Sequence, residues 1–341
     1  MKNKTKNKKY LVAGGAGFIG SNLVDELIRL KHQVIVLDNL STGKRENINP
    51  KAKFIKADIR NLKQISPFFK NIDGVFLLAA MPRVQYSIEN PVETNRINIE
   101  GILNVLVVSQ RAGVKRVVYS ASSSAYGDAE KMPTREDFKA KPLSPYGLQK
   151  YVGEEYCRLF SLIHKLETVS LRYFNVYGPR MSDKGAYVTV MSVSLRYFNV
   201  YGPRMSDKGA YVTVMSVFLK QLANNQPLTI TGDGEQSRDF TNVADVVRAN
   251  ILAMNSKKVG QGEVMNIGAN RNYTINQAAK IFIKHYSKKN PKADLRIKYI
   301  APRIEPHDTL ADITLAEKML GWRPRVKIED GIKEILNNSG L

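Results

Sequence analysis

The sequence predicts a doubly wound α/β fold, in which helices cover both faces of a parallel sheet. Short apolar runs alternate with helical stretches through the first half of the chain. A glycine-rich turn follows the first apolar run, and an acidic residue ends the second. Strands that alternate with helices pair in parallel through right-handed crossovers. The 341 residues suffice for one large domain or two interlocked ones with a buried core.

Hydrophobic periodicity gives the elements of the first half in order. Helices are expected where apolar residues recur every third or fourth position, and strands where short apolar runs occur. The strands are predicted at 10–13, 33–38, 54–57, 74–80 and 116–120. The helices are predicted at 22–30, 102–111 and 146–164.

The second half is less regular, and we expect it to form a smaller α/β lid over the carboxyl ends of the strands. Its strands are predicted at 227–231 and 263–267. Its helices are predicted at 243–254, 275–286, 315–320 and 331–336.

An unchanged repeat occupies the middle of the chain. The segment SLRYFNVYGPRMSDKGAYVTVMSV stands at 170–193 and recurs at 194–217. Two identical copies are too few to stack as a solenoid and indicate a recent or artificial duplication. We predict that the first copy supplies the sheet strand at 170–177 and the second supplies the helix at 211–224, because the flanking segments continue those elements. The opposite register remains an alternative.

The turn after the first strand has the pattern of a dinucleotide-binding loop. Gly14, Gly17 and Gly20 allow a tight turn, close approach of the backbone to a pyrophosphate and close packing of helix on strand. The helix N-terminus that follows favours an anion. Asp38 stands 18 residues after Gly20, where a carboxylate accepts hydrogen bonds from both ribose hydroxyls and repels a 2′-phosphate. The pattern therefore predicts a Rossmann fold that binds NAD rather than NADP.

A second motif predicts proton transfer. Tyr146 and Lys150 are four residues apart on one helical face. The ammonium and a positive nicotinamide ring are expected to favour tyrosinate, which makes Tyr146 a general base near neutral pH. Ser122 or Ser123, about 23 residues upstream, is expected to share a hydrogen bond with the substrate oxygen.

With both motifs, the chain resembles the extended short-chain dehydrogenase/reductases of the UDP-glucose 4-epimerase-like branch. The resemblance covers nearly the whole chain except the extra copy, and it rests on these segments: GGAGFIG, DNLSTG, DIR, LAA, YSASSSAYG, YGLQK, RYFNVYGPR, GDGEQSRDF and LADITLAEKMLGW. It implies an NAD cofactor, a UDP-sugar substrate and a homodimer formed through 102–111 and 146–164. It also implies a domain division. Residues 1–177 with about 236–258 would bind NAD, and about 178–235 with 259–341 would bind the nucleotide sugar.

The resemblance also implies roles for individual residues. Cofactor contacts are expected from Gly14, Gly17, Phe18, Ile19, Gly20, Asp38, Asn39, Ser41, Thr42, Gly43, Asp58, Ile59, Leu78, Ala79, Ala80, Asn98, Tyr146, Lys150 and Phe174. Substrate contacts are expected from Arg83, Ser124, Asn175 or its duplicate Asn199, Tyr211, Arg238, Arg303 and Thr309. Arg238 and Arg303 would clamp the diphosphate, while Asn98 would steady the catalytic helix region. The stretch around Arg303 is about one residue shorter than in the family, which leaves the partner acid open between Glu305 and Asp308.

Two details of the resemblance bear on the reaction and on the substrate within this superfamily. The resemblance places Ser123 and Ser124 where related dehydratases carry an Asp-Glu pair and related decarboxylases carry a Glu. By the same resemblance, Thr309 stands at a position that limits the size of the sugar pocket. Because threonine is small, the pocket would admit either an N-acetyl group or a hydroxyl. A dehydratase, decarboxylase or reductase remains the first alternative. The second is an NAD-binding protein that the duplication has inactivated.

The charge and cysteine content restrict the remaining classes. The net charge is +21, but the lysines are scattered and no nucleic-acid motif occurs, so neither nucleic acid nor membrane is expected as a partner. Cys157 is the only cysteine, which excludes an intrachain disulfide and fits a cytoplasmic protein. No apolar run approaches the roughly 20 residues of a membrane span. No metal site is predicted.

Overall fold

The protein is described from a computed structural model, which covers residues 7–129, 131–181, 214–291, 293, 295–301 and 307–341. The strands of this part of the chain are β1 (Lys9–Ala13), β2 (Gln33–Asp38), β3 (Lys53–Lys56), β4 (Gly74–Leu77), β5 (Arg116–Ser122), β6 (Glu167–Tyr173), β7 (Val176–Tyr177), β8 (Leu228–Thr231), β9 (Ser237–Asp239), β10 (Thr241–Asn242), β11 (Gln261–Ile267), β12 (Asn272–Thr274) and β13 (Ile297–Ile300). The α-helices are α1 (Phe18–Arg29), α2 (Leu62–Ile65), α3 (Val84–Glu89), α4 (Pro91–Asn95), α5 (Gly101–Arg111), α6 (Pro145–His164), α7 (Val214–Ala223), α8 (Val243–Asn255), α9 (Ile275–Ser287), α10 (Thr314–Leu320) and α11 (Ile328–Asn338). Single turns of 3₁₀ helix cover Arg45–Asn47, Ser66–Phe69 and Ser123–Ala125, and a π-helical turn covers Arg96–Glu100.

Seven parallel strands form the central sheet, which confirms the predicted doubly wound α/β fold. Their order across the sheet is β11-β6-β5-β4-β1-β2-β3. The direction of winding reverses between β1 and β4, so a crevice opens at the carboxyl ends of these strands. The glycine turn that follows β1 lies at that crevice.

Both faces of the sheet are buried, as the continuous apolar strands predict. Alternate residues of β1 pack on opposite faces: Val12 contributes to a core with α1 and α8, and Leu11 to a core with α5 and α6. A third core lies outside the sheet and joins α7, α9 and α11 around Phe218 and Phe282.

One boundary of the predicted lid is wrong. Residues 259–341 were assigned to the smaller region, but β11 pairs in parallel with β6 and is the edge strand of the central sheet. The sequence of a short, partly polar strand is compatible with either region. The strand with which it pairs determines the region to which it belongs. The remaining strands of the second half form two-stranded pairs, among them β13 with β8 and β12 with β9.

The two copies of the repeat contribute different elements, as predicted. The strand segment of the first copy ends β6 and continues into β7, and β6 lies between β5 and β11. The last residues of the second copy begin α7 at Val214. The remainder of the repeat, 182–213, lies outside the described residues, and so does the part of the predicted helix before Val214. Within the described part of the chain, no helix has the length and apolarity that a bilayer crossing requires.

Candidate active site

The first turn has the geometry of a dinucleotide cradle. Gly14 has a φ of +84°, and a Cβ atom there would lie 2.6 Å from the backbone nitrogen of Ala79. A Cβ at Gly20 would lie 2.1 Å from the carbonyl oxygen of Gly14, so only glycine lets α1 pack this close to β1. At Gly17 the same atom would lie 3.3 Å from that oxygen, which leaves the outer side of the turn open to a ligand.

Asp38 is fixed beside this turn. Its Oδ2 accepts a hydrogen bond of 3.0 Å from the Ala16 N–H, and its Oδ1 accepts one of 2.8 Å from the Leu40 N–H. Burial raises the pKa of Asp38, and the two backbone donors oppose that rise. Gly43 lies against this carboxylate. A Cβ at Gly43 would lie 3.0 Å from Asp38 Oδ2, so a larger residue would crowd the carboxylate. The carboxylate is thus held beside the glycine turn, and its contact with the ribose stays a prediction.

Asp58 and Asn39 form a second polar group at the ends of β2 and β3. The Asn39 Nδ2 donates to Asp58 Oδ2 at 2.9 Å, and Arg60 donates to the same oxygen at 2.8 Å. Burial would raise the pKa of Asp58, but the hydrogen bonds from Arg60 and Asn39 outweigh it and lower the pKa to about 2. The neighbouring Ile59 is buried against Gly101, and Ser41 and Thr42 are exposed.

The predicted catalytic pair lies at the start of α6. Ser144 caps this helix by accepting a hydrogen bond of 3.1 Å from the Gly147 N–H, and Pro145 occupies the first helical position. Tyr146 and Lys150 then face a cleft of about 600 Å³ beside the first turn. The described residues that line it are Ile19, Leu78, Ala80, Pro82, Ser120, Ala121, Ser122, Tyr146, Lys150, Tyr173, Asn175 and Val176.

Burial dominates the electrostatics of this pair in the chain itself. The Lys150 Nζ donates to the Ser120 carbonyl oxygen at 2.8 Å and lies 5.9 Å from the centre of the Tyr146 ring. Burial raises the pKa of Tyr146 to about 12, and the hydroxyl of Ser122 opposes the rise. Burial lowers the pKa of Lys150 to about 8. Burial is the largest influence on both pKa values, so the chain by itself holds a neutral phenol. The predicted tyrosinate combines the lysine charge with that of the nicotinamide ring, and it stays a prediction.

The serines after β5 are arranged as a hydroxyl turn. The Ser122 Oγ accepts from the Ser124 N–H at 3.2 Å and lies 2.9 Å from the Ser124 Oγ. Ser122 lines the cleft, whereas Ser123 begins the 3₁₀ turn that leads away from it. Of the two serines proposed to assist Tyr146, the geometry therefore favours Ser122.

Asn98 connects the loop after β4 to the catalytic helix. Its Oδ1 accepts from the Met81 N–H at 2.7 Å, and its Nδ2 donates to the Met81 carbonyl oxygen at 3.0 Å and to Gln149 Oε1 at 2.8 Å. Gln149 in turn donates to the Thr94 hydroxyl at 3.0 Å. Leu78 and Ala80, which line the cleft, belong to the loop that Asn98 fixes. This geometry agrees with the predicted steadying role of Asn98.

On the opposite side of the cleft, Asn175 and Thr309 meet although they are far apart in sequence. The Asn175 Nδ2 donates to the Thr309 hydroxyl at 3.0 Å, and that hydroxyl also accepts from the Asp239 N–H at 3.1 Å. Asp239 is buried and accepts from the N–H groups of Ala269 and Ala311. Burial raises the pKa of Asp239 to about 6, and these backbone donors oppose the rise.

The remaining predicted residues fall into three groups. Arg238 is buried in β9, where it donates to the carbonyl oxygens of Ser237 and His307, and Arg83 is half-buried at the start of α3. Phe18 and Phe174 belong to the core and are absent from the described lining of the cleft, so their cofactor contacts stay predictions.

The predicted contacts of Asn199, Tyr211 and Arg303 lie outside the described residues, as does the candidate acid Glu305. The other candidate acid, Asp308, bonds Ser237 and His307.

Sequence reasoning missed several residues of the site. Tyr173 lines the cleft and its hydroxyl lies 3.0 Å from the Ser120 Oγ. Gln149 joins the catalytic helix to Asn98. Glu154 and Arg172 form a buried ion pair one helical turn beyond Lys150. The spacing of Tyr146, Lys150 and Glu154 at intervals of four was the available signal for Glu154.

The site combines a tyrosine and a lysine with a dinucleotide-binding turn. This combination defines the class of protein as an enzyme that moves hydride with a nicotinamide dinucleotide. Comparison with known proteins specifies it further. Residues 10–191 match the NAD dependent epimerase/dehydratase family, and residues 184–335 match the GDP-mannose 4,6 dehydratase family. The chain belongs to the NAD-dependent epimerase/dehydratase family, and NAD is its cofactor.

Three relatives cover nearly the whole chain. A putative UDP-glucose 4-epimerase of Methanocaldococcus jannaschii is 39% identical over 330 residues, which are 96% of this chain and 97% of the relative. The crystal structure of a UDP-glucose 4-epimerase from Thermotoga maritima with UDP-glucose is 36% identical, with a TM-score of 0.83, and covers 97% of this chain and 98% of that one. A UDP-N-acetylglucosamine 4-epimerase from Methanobrevibacter ruminantium is 32% identical, with a TM-score of 0.84, and covers 98% of each chain.

The residues present fit NAD. The turn at Gly14, Gly17 and Gly20 leaves free the space that a Cβ would fill, and the buried Asp38 presents a carboxylate beside it. A negative charge at this position disfavours a 2′-phosphate.

Proposed function

We propose that the protein is an NAD-dependent epimerase that inverts C4 of a UDP-sugar through a transient 4-keto sugar. The observation that carries this proposal is that Tyr146, Lys150 and Ser122 line one cleft beside the dinucleotide turn. When bound there, NAD would accept the hydride of C4 and return it to the opposite face of the sugar. The family membership and the names of the relatives support the same reaction.

In the proposed mechanism Tyr146 exchanges the proton of the sugar 4-hydroxyl. Ser122 holds the same oxygen by a hydrogen bond, and the Lys150 ammonium stabilises the phenolate as the proton arrives and leaves. The pKa of Tyr146 is about 12 in the chain alone. The tyrosine therefore acts as a base only with additional positive charge in the cleft, which couples proton transfer to the occupied site.

The described residues that line the cleft favour epimerisation over dehydration or decarboxylation. Expulsion of water from the sugar requires an acid near the reacting carbons. The described residues that line the cleft include no carboxylate, and the positions after Ser122 are serines. An epimerase needs only one group that gives and takes the 4-hydroxyl proton, and Tyr146 is such a group.

The second half of the chain would bind the nucleotide sugar, with the strand β11 excepted. Asn175 lines the cleft and bonds Thr309, and these two residues would contact the sugar, while Arg238 would contact the diphosphate. Thr309 is small, so we infer a pocket that accepts an N-acetyl group as well as a hydroxyl at C2. The relatives named for UDP-glucose and UDP-N-acetylglucosamine supply the two test substrates.

We also infer a homodimer through α5 and α6. Leu148, Leu159 and Leu162 share one face of α6 by their spacing, and Leu148 is 50% and Leu162 61% exposed. The adjacent Ile163 is 63% exposed. Exposed apolar side chains that share one face of a helix are typical of a protein interface.

The experiment is an epimerase assay with UDP-glucose and UDP-N-acetylglucosamine, with product analysis by chromatography and NMR. We expect interconversion with the C4 epimer and no net release of NADH. Loss of water or carbon dioxide from the substrate would replace the proposal with the first alternative. Bound NAD without turnover of any UDP-sugar would instead support an inactive NAD-binding protein.

A further inference from the structure

A buried ion pair lies behind the catalytic helix. The carboxylate of Glu154 accepts hydrogen bonds from Arg172 Nε, at 2.9 Å to Oε1 and 3.2 Å to Oε2, and from Arg172 Nη2, at 2.6 Å to Oε2. The side chains are 1% and 5% exposed. Removal of two charges from water costs several kcal/mol per ion, so such a pair is weak evidence for stability and requires another explanation.

The pair joins the elements that carry the catalytic groups. Glu154 stands one turn after Lys150 on α6, whereas Arg172 stands in β6 directly before Tyr173, which lines the cleft. The Arg172 guanidinium also stacks on the ring of Tyr126 at 4.4 Å, and Tyr126 directly follows the hydroxyl turn at Ser123–Ala125. One ion pair therefore ties the catalytic helix to the strand and the turn that face it.

The pair also sets the electrostatic environment of Lys150. The titratable groups of the described chain that act on Lys150 or share its aromatic contacts are Tyr119 of β5 and Tyr146, Glu154 and Cys157 of α6. Among them Glu154 carries negative charge at neutral pH, and it opposes the loss of the lysine proton that burial favours. Arg172 in turn opposes the rise in the pKa of Glu154 that burial causes. Glu136 of the neighbouring loop is the other acid that interacts with Arg172.

We propose that Glu154 and Arg172 are positioning residues that keep Lys150 charged and aligned with Tyr146 during turnover. Arg172 holds Glu154 as a carboxylate, and this carboxylate, one helical turn from Lys150, acts on the lysine ammonium by its charge. This inference rests on the proposed function, because it assigns the charged Lys150 to the support of Tyr146. Neither residue contacts the cleft, so both act through Lys150.

The test compares Glu154→Gln with a matched control, Glu155→Gln. Glu155 stands next to Glu154 on α6 but is exposed, and it pairs with Arg158 at 3.0 Å. Turnover with the UDP-sugar that the wild-type enzyme accepts is measured from pH 6 to 10. The charged form of Lys150 disappears as pH rises through its pKa of about 8, so wild-type turnover should decline above that region. We expect Glu154→Gln to move this decline to lower pH by about one unit and Glu155→Gln to leave it in place.

A direct titration separates this inference from the proposed function. The ¹³C resonance of the Lys150 ε-methylene, identified by its absence from Lys150→Met, reports the lysine pKa without turnover. Should Glu154→Gln not fold, the double variant Glu154→Leu/Arg172→Met removes both charges and commonly preserves such a core. It also removes the positive charge of Arg172, so a smaller shift in the same direction is expected. A uniform loss of turnover at every pH with an unchanged lysine titration would overturn the positioning role. An inactive wild-type enzyme whose lysine titration shifts as expected would instead refute the proposed function alone.

Discussion

The two sides of the cleft are built in different ways. On the cofactor side the contacts come from contiguous segments, since Gly14, Gly17 and Gly20 form one turn and Tyr146 and Lys150 lie on one helix. On the side proposed for the sugar, Asn175 and Thr309 are separated by 134 residues and are joined by a side-chain hydrogen bond. A local motif fixes its own geometry, whereas a site assembled from distant segments depends on the packing of everything between them. Substitutions on the cofactor side should therefore have the larger and more specific effects.

The largest effect is expected for Tyr146→Phe. Loss of the hydroxyl removes the group that exchanges the substrate proton, and general acid–base catalysis contributes about 10²- to 10⁴-fold. We expect kcat to fall by roughly 10³-fold while NAD stays bound. Steady-state kinetics and the NAD content of the purified protein provide the measurement. Tyr151→Phe on the same helix is the control, and near-normal turnover of Tyr146→Phe would contradict the mechanism.

The second test separates two roles of glycine in the first turn. Gly20→Ala places a Cβ 2.1 Å from the Gly14 carbonyl oxygen, so we expect a marked loss of thermal stability together with loss of NAD. Gly17→Ala meets that oxygen at 3.3 Å, which the backbone can absorb, but the methyl group projects toward the pyrophosphate. We expect Gly17→Ala to melt near the wild-type temperature and to bind NAD about 10- to 100-fold more weakly, equivalent to ~1.4–2.8 kcal/mol. Calorimetry and NAD titration measure the two properties. Equal losses of stability in both variants would refute the division of roles.

A smaller effect is expected on the sugar side for Thr309→Val. This nearly isosteric change removes the acceptor shared by the Asn175 side chain and the Asp239 N–H. A lost hydrogen bond of this kind costs about 1 kcal/mol, so we expect KM for the UDP-sugar to rise roughly fivefold with little change in kcat. Thr314→Val in the exposed first turn of α10 is the control. A large fall in kcat would show that Thr309 contributes to the chemistry and not only to binding.

The smallest effect is expected when one copy of the repeat is removed. Deletion of residues 182–205 restores a single uninterrupted copy and removes only residues outside the described ranges. The retained strand and helix are those of the structure, and doubling a loop costs only about 0.6 kcal/mol. We expect turnover within about threefold of the full chain, in the same assay. Recovery of activity from an inactive full chain would show that the duplication disables the enzyme, and loss of activity would show that the inserted residues are required.

Sequence reasoning recovered the central sheet and the cofactor side because these rest on short-range rules. Strand and helix periodicity placed β1, β2 and α6 within a residue or two of their positions. It assigned β11 to the wrong region, since a strand of seven residues does not encode its partner. The tyrosinate expected from Lys150 together with the nicotinamide ring stays a prediction, because burial of both groups keeps the phenol neutral in the chain alone.

By itself, the sequence determined the class of fold, the dinucleotide turn and the tyrosine–lysine pair, because each depends on residues within a few positions of one another. Only the tertiary structure decided that Asn175 meets Thr309, that Asn98 fixes the loop after β4 to Gln149, and that Arg172 reaches Glu154 behind the catalytic helix. It also decided that the first copy of the repeat supplies a strand of the central sheet, because the pairing of that strand with β5 and β11 depends on distant residues.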